Sequence, residues 1–151
     1  MDLYVFIQLI ITAVAATTTM TLFSYTISES FRKLYKEPVL LTYILTQLKA
    51  ELSSKVKTIL AWLIHYSIGL IFVIIYHFLW IHTILKLTFF NGLLLGMVSG
   101  IVGIISWMIM FKIADYKPAI DFKGYYIQLF FAHVLFGITA TLVYYFSLTL
   151  S

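Results

Sequence analysis

The sequence contains no cysteine. That excludes disulfides, thiolate metal sites, cysteine nucleophiles and covalent c-type haem attachment, and it leaves His, Tyr, Thr and Ser to carry any chemistry. Charge is almost as scarce: 11% of the 151 residues are Asp, Glu, Lys or Arg, against roughly 25% in an ordinary soluble domain. Against this stand 62% hydrophobic and 18% aromatic residues, an amount of apolar surface whose natural solvent is lipid. A Ser nucleophile with base and orienter, a phosphate loop or a paired-carboxylate site cannot be assembled from these residues, so no enzyme activity is expected. The formal charge of +4 does not point to nucleic acid, because the basic residues lie in short segments between long apolar runs and read as topology signals.

Those runs predict an all-α membrane protein, a single domain with spans at about 3–27, 58–80, 92–111 and 124–150. Each is long enough, at about 1.5 Å per residue, to cross a hydrocarbon core of about 30 Å. Asp2 stands where a signal peptide has its positive region, so the first run reads as an uncleaved span. Trp62 and Trp80 lie near the two ends of the second span, as interfacial aromatics do. Of the ten Lys and Arg, nine (Arg32, Lys33, Lys36, Lys49, Lys55, Lys57, Lys112, Lys117 and Lys123) fall in the first and third connections, and Lys86 alone in the second. By the positive-inside rule, both termini lie on the non-cytoplasmic side.

In the first connection Leu41, Ile44, Leu45, Leu48 and Leu52 repeat at helical spacing over about 38–52. Pro38 suits a first helical position. The segment reads as an amphipathic helix lying on the membrane surface, with docking to a protein partner as the alternative. In the third span Gly92, Gly96, Gly100 and Gly103 form a stripe. Between membrane helices such a stripe is a packing seam, serving intramolecular contact or association with copies or a membrane-protein partner.

Two spans share a pattern of His, three residues, Gly, six residues, Tyr: His65, Gly69, Tyr76 and His133, Gly137, Tyr144. Offsets of four and eleven fall within roughly 40° of each other on a helix, so each trio marks one face. Together with the spacing of the spans, this suggests an internal repeat of two pseudo-symmetric hairpins related by an axis along the membrane normal. Both histidines lie roughly 12 to 15 Å inside the cytoplasmic boundary. Thr17, Thr18 and Thr19 of the first span and Gly103 and Ser106 of the third reach the same depth.

A polar intramembrane cluster of His65, His133, Thr17, Thr18 and Ser106 is therefore expected, facing the bundle interior. It has three readings. The histidines bond neighbouring hydroxyls or carbonyls and fix helix register; they line a transport or channel pathway; or they are the two axial ligands of a b-type haem, with Gly69 and Gly137 leaving room for the macrocycle. No cofactor is required by the first two. His77 and His82, five apart, point about 140° away from each other on a helix, so no metal site is expected there.

The small-residue first span (residues 13–20), the glycine-striped third span and the pairs His65/Gly69 and His133/Gly137 resemble a loose group of small bacterial four-span inner-membrane proteins of unknown function, the YagU-like kind. The resemblance implies a bacterial inner-membrane address and supplies no activity, cofactor or ligand. The leading expectation is a non-enzymatic membrane protein of structural or assembly type, packing through the glycine seam, with a small transporter as the alternative.

Overall fold

A computed structural model describes residues 3–48, 51–115 and 118–149. They form five helices, α1 (Leu3–Phe31), α2 (Glu37–Gln47), α3 (Ser54–Ile81), α4 (Phe89–Ile113) and α5 (Phe122–Thr149), with no strand among the described residues. All but α2 are long and apolar enough to cross a membrane. The chain is a multi-pass, all-α four-helix bundle. Lys49, Lys117 and position 150, which the sequence reading assigned to the connections and the last span, lie outside the described residues.

At 29, 28, 25 and 28 residues the four long helices measure roughly 37 to 44 Å, more than a hydrocarbon core of about 30 Å requires. They overrun the apolar runs because local polar groups prolong or start them. Ser53 caps α3 by accepting from the Val56 amide, and Thr88 caps α4 by accepting from the Asn91 amide. At its far end α1 continues through Ser28, Glu29 and Ser30 and stops where Arg32 turns left-handed at φ 52°. There the Lys33 amide bonds back to the Ser28 carbonyl at 3.0 Å.

The bundle is apolar outside and small or polar inside. Ile7, Ile11, Val14, Ile59, Leu63, Ile71, Ile101, Ile105 and Phe131 are exposed, whereas Gln8, Thr12, Thr17, Thr21, Ser24, Ser99, Gln128 and Thr141 are buried. This distribution suits lipid, in which buried polar groups must find partners within the protein. Neighbours run in the order α3, α1, α5, α4, with α2 against α3. The tightest seam is α4 on α5, made by the glycine stripe. A Cβ at Gly96 would lie 2.7 Å from the His133 carbonyl oxygen and 2.8 Å from Val134 Cα; one at Gly137 would lie 2.6 Å from Gly96 Cα. Gly92 faces Thr141, and Gly100 faces Phe130. The stripe is thus used within the chain.

α3 and α4 do not pack along their length as the other neighbours do. They are tied by a hydrogen bond of 2.6 Å between the Tyr76 and Ser99 hydroxyls. Toward the α1–α2 end a cleft lies between them.

Three details depart from the sequence reading. α2 ends at Gln47, with Leu48 as its C-cap, rather than continuing to 52, so Leu52 is outside it, and its buried side is Glu37, Pro38, Leu40, Leu41 and Ile44. It docks on the chain's own bundle because Leu40 and Leu41 find apolar partners there. Trp80 is 7% exposed and packs against Tyr144 with the rings tilted, at 4.6 Å between ring centroids. It belongs to the interior because Tyr144 and Tyr76 offer it a continuous aromatic surface. Finally, Asp121, just before α5, pairs with Lys33 at 2.5 Å, accepts from the Tyr35 hydroxyl at 3.2 Å and caps the Gly124 amide at 3.1 Å. That cluster fastens the α1–α2 connection to the start of α5.

Leucine at Gly96 meets backbone rather than a movable side chain, so Gly96→Leu is expected to lower stability by about 2 kcal/mol or more. Val98→Leu, on the exposed face of the same helix, should stay within about 0.5 kcal/mol of wild type. Unfolding in detergent micelles measures both.

Candidate functional site

α2 brings a carboxylate into the bundle. Pro38 occupies the opening turn of α2 beside Glu37, where a fixed φ and a missing N–H cost nothing and an acidic residue suits the helix dipole. With Leu40, Leu41 and Ile44 packed inward, Glu37 follows the same face and is 1% exposed. The Ser24 hydroxyl of α1 lies 2.8 Å from Glu37 Oε1 and 3.1 Å from the Met20 carbonyl, with one proton to share between them, and Gln128 Nε2 of α5 donates to Ser24 Oγ at 2.5 Å. Three helices thus meet in one hydrogen-bond chain.

Glu37 Oε2, Gln128 Oε1 and the Tyr125 hydroxyl are buried without a hydrogen-bond partner among the described residues. Burial pushes the Glu37 carboxyl up to about 7, and its own backbone amide, Ser24 and the nearby Gln128 amide only partly oppose this. A proton on Glu37 supplies a donor in a place that otherwise holds surplus acceptors.

His65 and His133 are each the twelfth residue of their helices, α3 and α5, and both are 6% exposed. The Thr21 hydroxyl donates to the Thr17 carbonyl at 2.7 Å, so at its 2.9 Å contact with His65 Nε2 it accepts. His65 therefore carries its proton on Nε2 and leaves Nδ1 as a lone pair. His133 Nδ1 lies 2.8 Å from the Leu129 carbonyl, which only accepts, so His133 is protonated on Nδ1 and leaves Nε2 free. The two imidazoles hold opposite tautomers, and no hydrogen bond joins them among the described residues.

Glycines make this arrangement possible. A Cβ at Gly103 would lie 2.8 Å from His133 Cε1 and 2.9 Å from its Nε2, and one at Gly69 would lie 3.3 Å from Thr17 Cβ and 3.5 Å from the Phe136 ring. Between the histidines, Thr17, Gly69 and Phe136 enclose a void of about 20 Å³, the size of one water. Thr17 Oγ1, buried and unpartnered, lies beside it.

Beside this void, residues of α3 and α4 face each other across a cleft of about 200 Å³. Every helix contributes to it, including Glu37 from α2, His65 from α3, His133 from α5, and Gly103, Ser106 and Trp107 from α4. Ser106 lies at its exposed rim and donates to the Val102 carbonyl at 2.8 Å. Of the expected cluster, His65 and His133 line both the void and the cleft, Thr17 lines the void and Ser106 the cleft. Thr18 does not: its hydroxyl pairs with Tyr66 at 3.0 Å on another side of α1, because one residue turns the helix by about 100°. Thr19 bonds the Ala15 carbonyl of its own helix.

A b-type haem does not fit these residues. Nε2 of His65 is engaged by Thr21, the room expected beside Gly69 is taken by Thr17 and Phe136, and that beside Gly137 is taken by α4. Tyr76 bonds Ser99, while Tyr144 pairs with His77 Nδ1 at 2.7 Å, so the two tyrosines of the repeated pattern have different partners. His82 ends α3 and stacks on Phe78. Among the described residues no three His, Asp or Glu side chains gather so as to hold a metal ion.

Residues missed by the sequence reading are Glu37, Thr21, Ser24 and Gln128. On α1 the signal was present: Gln8, Thr12, Thr17, Thr21, Ser24 and Ser28 are buried and repeat at helical spacing along an uncharged helix. Nothing in sequence set Glu37 apart from a solvated loop acid. Comparison of the chain with protein-family models, curated proteins and solved structures finds no match.

Because burial raises the folded-state value of Glu37 from 4.5 to about 7, its proton stabilises the fold below pH 4.5. That stability is lost as pH rises through about 7, a loss of about 3 kcal/mol. The Lys33 ammonium bonded to Asp121 holds that carboxyl down, to about 2, so its contribution has the opposite sign and is lost only as pH falls below 3.8. Glu37→Gln should therefore flatten stability between pH 4.5 and 7 relative to wild type, leaving the acid limb in place. Unfolding midpoints against pH measure this.

Proposed function

We propose that this chain is a non-enzymatic bacterial inner-membrane protein that holds a small solute in the cleft between α3 and α4, as a small transporter or membrane-embedded binding subunit. The observation that carries the reading is the convergence of Glu37, His65 and His133 on one cleft of about 200 Å³. Ionisable groups inside a membrane bundle are costly to bury and mark pathways or binding sites. Two imidazole lone pairs and an under-bonded carboxylate provide polar anchors, and the opening between α3 and α4 provides access. The glycine stripe, spent on the α4–α5 seam, supports a role in internal packing rather than in association of copies.

A second reading, that the histidines serve architecture alone, is favoured by the His65–Thr21 and His133–Leu129 hydrogen bonds. The two readings divide on whether filling the cleft matters.

For orientation, the charge distribution supports both termini outside, with α2 and the Lys33–Asp121 cluster at the cytoplasmic end. The two hairpins are read as a repeat whose halves have diverged. Histidines at matching positions of α3 and α5 support it. The close α1–α5 seam and the open α3–α4 cleft, which would be counterparts, measure the divergence.

Absence of native cysteine makes the orientation directly testable. In intact bacterial cells Thr83→Cys should react with a membrane-impermeant maleimide and Lys55→Cys should not; the reverse labelling refutes the topology. Ser106→Trp, which fills the cleft from its rim, should leave unfolding in detergent within about 1 kcal/mol of wild type and abolish uptake or binding of the solute. A fully active Ser106→Trp protein refutes the cleft as the site.

A further inference from the structure

We infer that the cleft takes a small organic ammonium ion, with Glu37 as its counter-ion and the lone-pair nitrogens His65 Nδ1 and His133 Nε2 as hydrogen-bond acceptors. This rests on the reading of the cleft as a binding site and names the class of ligand. Its basis is the inventory of polar groups that line the space. Glu37 is an acceptor when ionised, and its Oε2 is buried at the wall of the cleft without a hydrogen-bond partner among the described residues. Each histidine has committed its N–H elsewhere, to Thr21 or to the Leu129 carbonyl. Ser106 has committed its proton to the Val102 carbonyl. Among the described residues no Lys or Arg lines the cleft.

Apart from the Trp107 indole N–H, the polar groups of the lining are therefore acceptors rather than donors. An anion would meet the Glu37 carboxylate and find no cation, at a cost that low dielectric magnifies. A neutral apolar molecule would leave Oε2 unpaired. An ammonium ion brings both the donors and the charge. The remaining walls suit its organic part: Trp107 and Phe72 offer aromatic surface, which also attracts cations, and Met20, Leu41, Ile68 and Met110 are apolar. A volume of about 200 Å³ admits one ring with a short side chain. A bare metal ion is the poorer match, because Glu37, His65 and His133 line the cleft without gathering into a metal-ligating group.

Protons compete for the same carboxylate. The titratable or charged groups around Glu37 are Tyr25 of α1, Lys36 beside it, His65 of α3, and Tyr125 and His133 of α5, while α4 lines the cleft only with uncharged groups. Lys36 is held over the Tyr25 ring at 4.6 Å and pairs with Glu29 at 3.3 Å, so among the described residues no Lys or Arg is paired with Glu37. Ammonium binding should strengthen as pH rises through the Glu37 titration.

The test uses the full chain in detergent micelles, titrated calorimetrically with three isosteres: benzylammonium, benzyl alcohol and benzoate. At about pH 8 benzylammonium should bind at least about tenfold more tightly than benzyl alcohol, with benzoate weakest. Lowering the pH to about 6 should weaken benzylammonium about tenfold, and Ser106→Trp should remove its binding. Glu37→Gln should erase both the preference for the cation and its pH dependence; the wild-type comparison of the three isosteres stands even if that variant does not fold. Benzyl alcohol binding as tightly as benzylammonium, in a manner blocked by Ser106→Trp, overturns the ammonium assignment and leaves the cleft as a site. Failure of all three probes to show binding that Ser106→Trp removes overturns both.

Discussion

The hydrogen bond from Ser24 to Glu37 is the contact on which the inner half of the bundle depends. It ties the first turn of α2, which packs against α3, to α1 and through Gln128 to α5, so a connection that would otherwise lie on the surface becomes part of the interior. Gln128 completes the chain from the other side. A buried carboxylate is not a source of net stability, and the apolar contacts of Leu40, Leu41 and Ile44 must carry the docking. What the carboxylate adds is a defined position for α2 and a group whose charge answers to pH and to whatever enters the cleft.

Small residues serve two purposes here. Along α4 they let the α5 backbone approach, which supplies the packing that a lipid solvent does not drive. At Gly103 and Gly69 they make space for the His133 imidazole and for Thr17. The same stripe thus closes one seam and shapes the wall of the cleft beside it. The hydroxyls follow a similar economy: Thr21 and Ser106 each satisfy a carbonyl of their own helix and keep lone pairs facing inward.

The four spans, the glycine seam and the inward faces of both His–Gly–Tyr trios were legible because each is local and periodic: a run of apolar residues, a spacing of four, an offset of eleven. His65 and His133 could be placed at one depth from helix rise alone. Glu37 could not be read, since its burial depends on the tertiary docking of α2 and leaves no periodic trace in a polar connection. Partner choice was illegible for a related reason. Thr17 and Thr18 are adjacent in sequence and equal in chemistry, yet one faces the void between the histidines and the other faces Tyr66. The rotation of α1 that decides this is set by its contacts with α3 and α5.

The most direct test of the account is the ionisation of Glu37 in a lipid bilayer, read by infrared spectroscopy of protein carrying isotope-labelled glutamate. The chain has three glutamates, Glu29, Glu37 and Glu51, so the signal is assignable by substitution. The account predicts one carboxyl that remains partly protonated near neutral pH, titrates around 7 and is absent from Glu37→Gln. Three glutamates all fully ionised by about pH 6, two units above the usual carboxylate range, would contradict a carboxylate held inside the bundle.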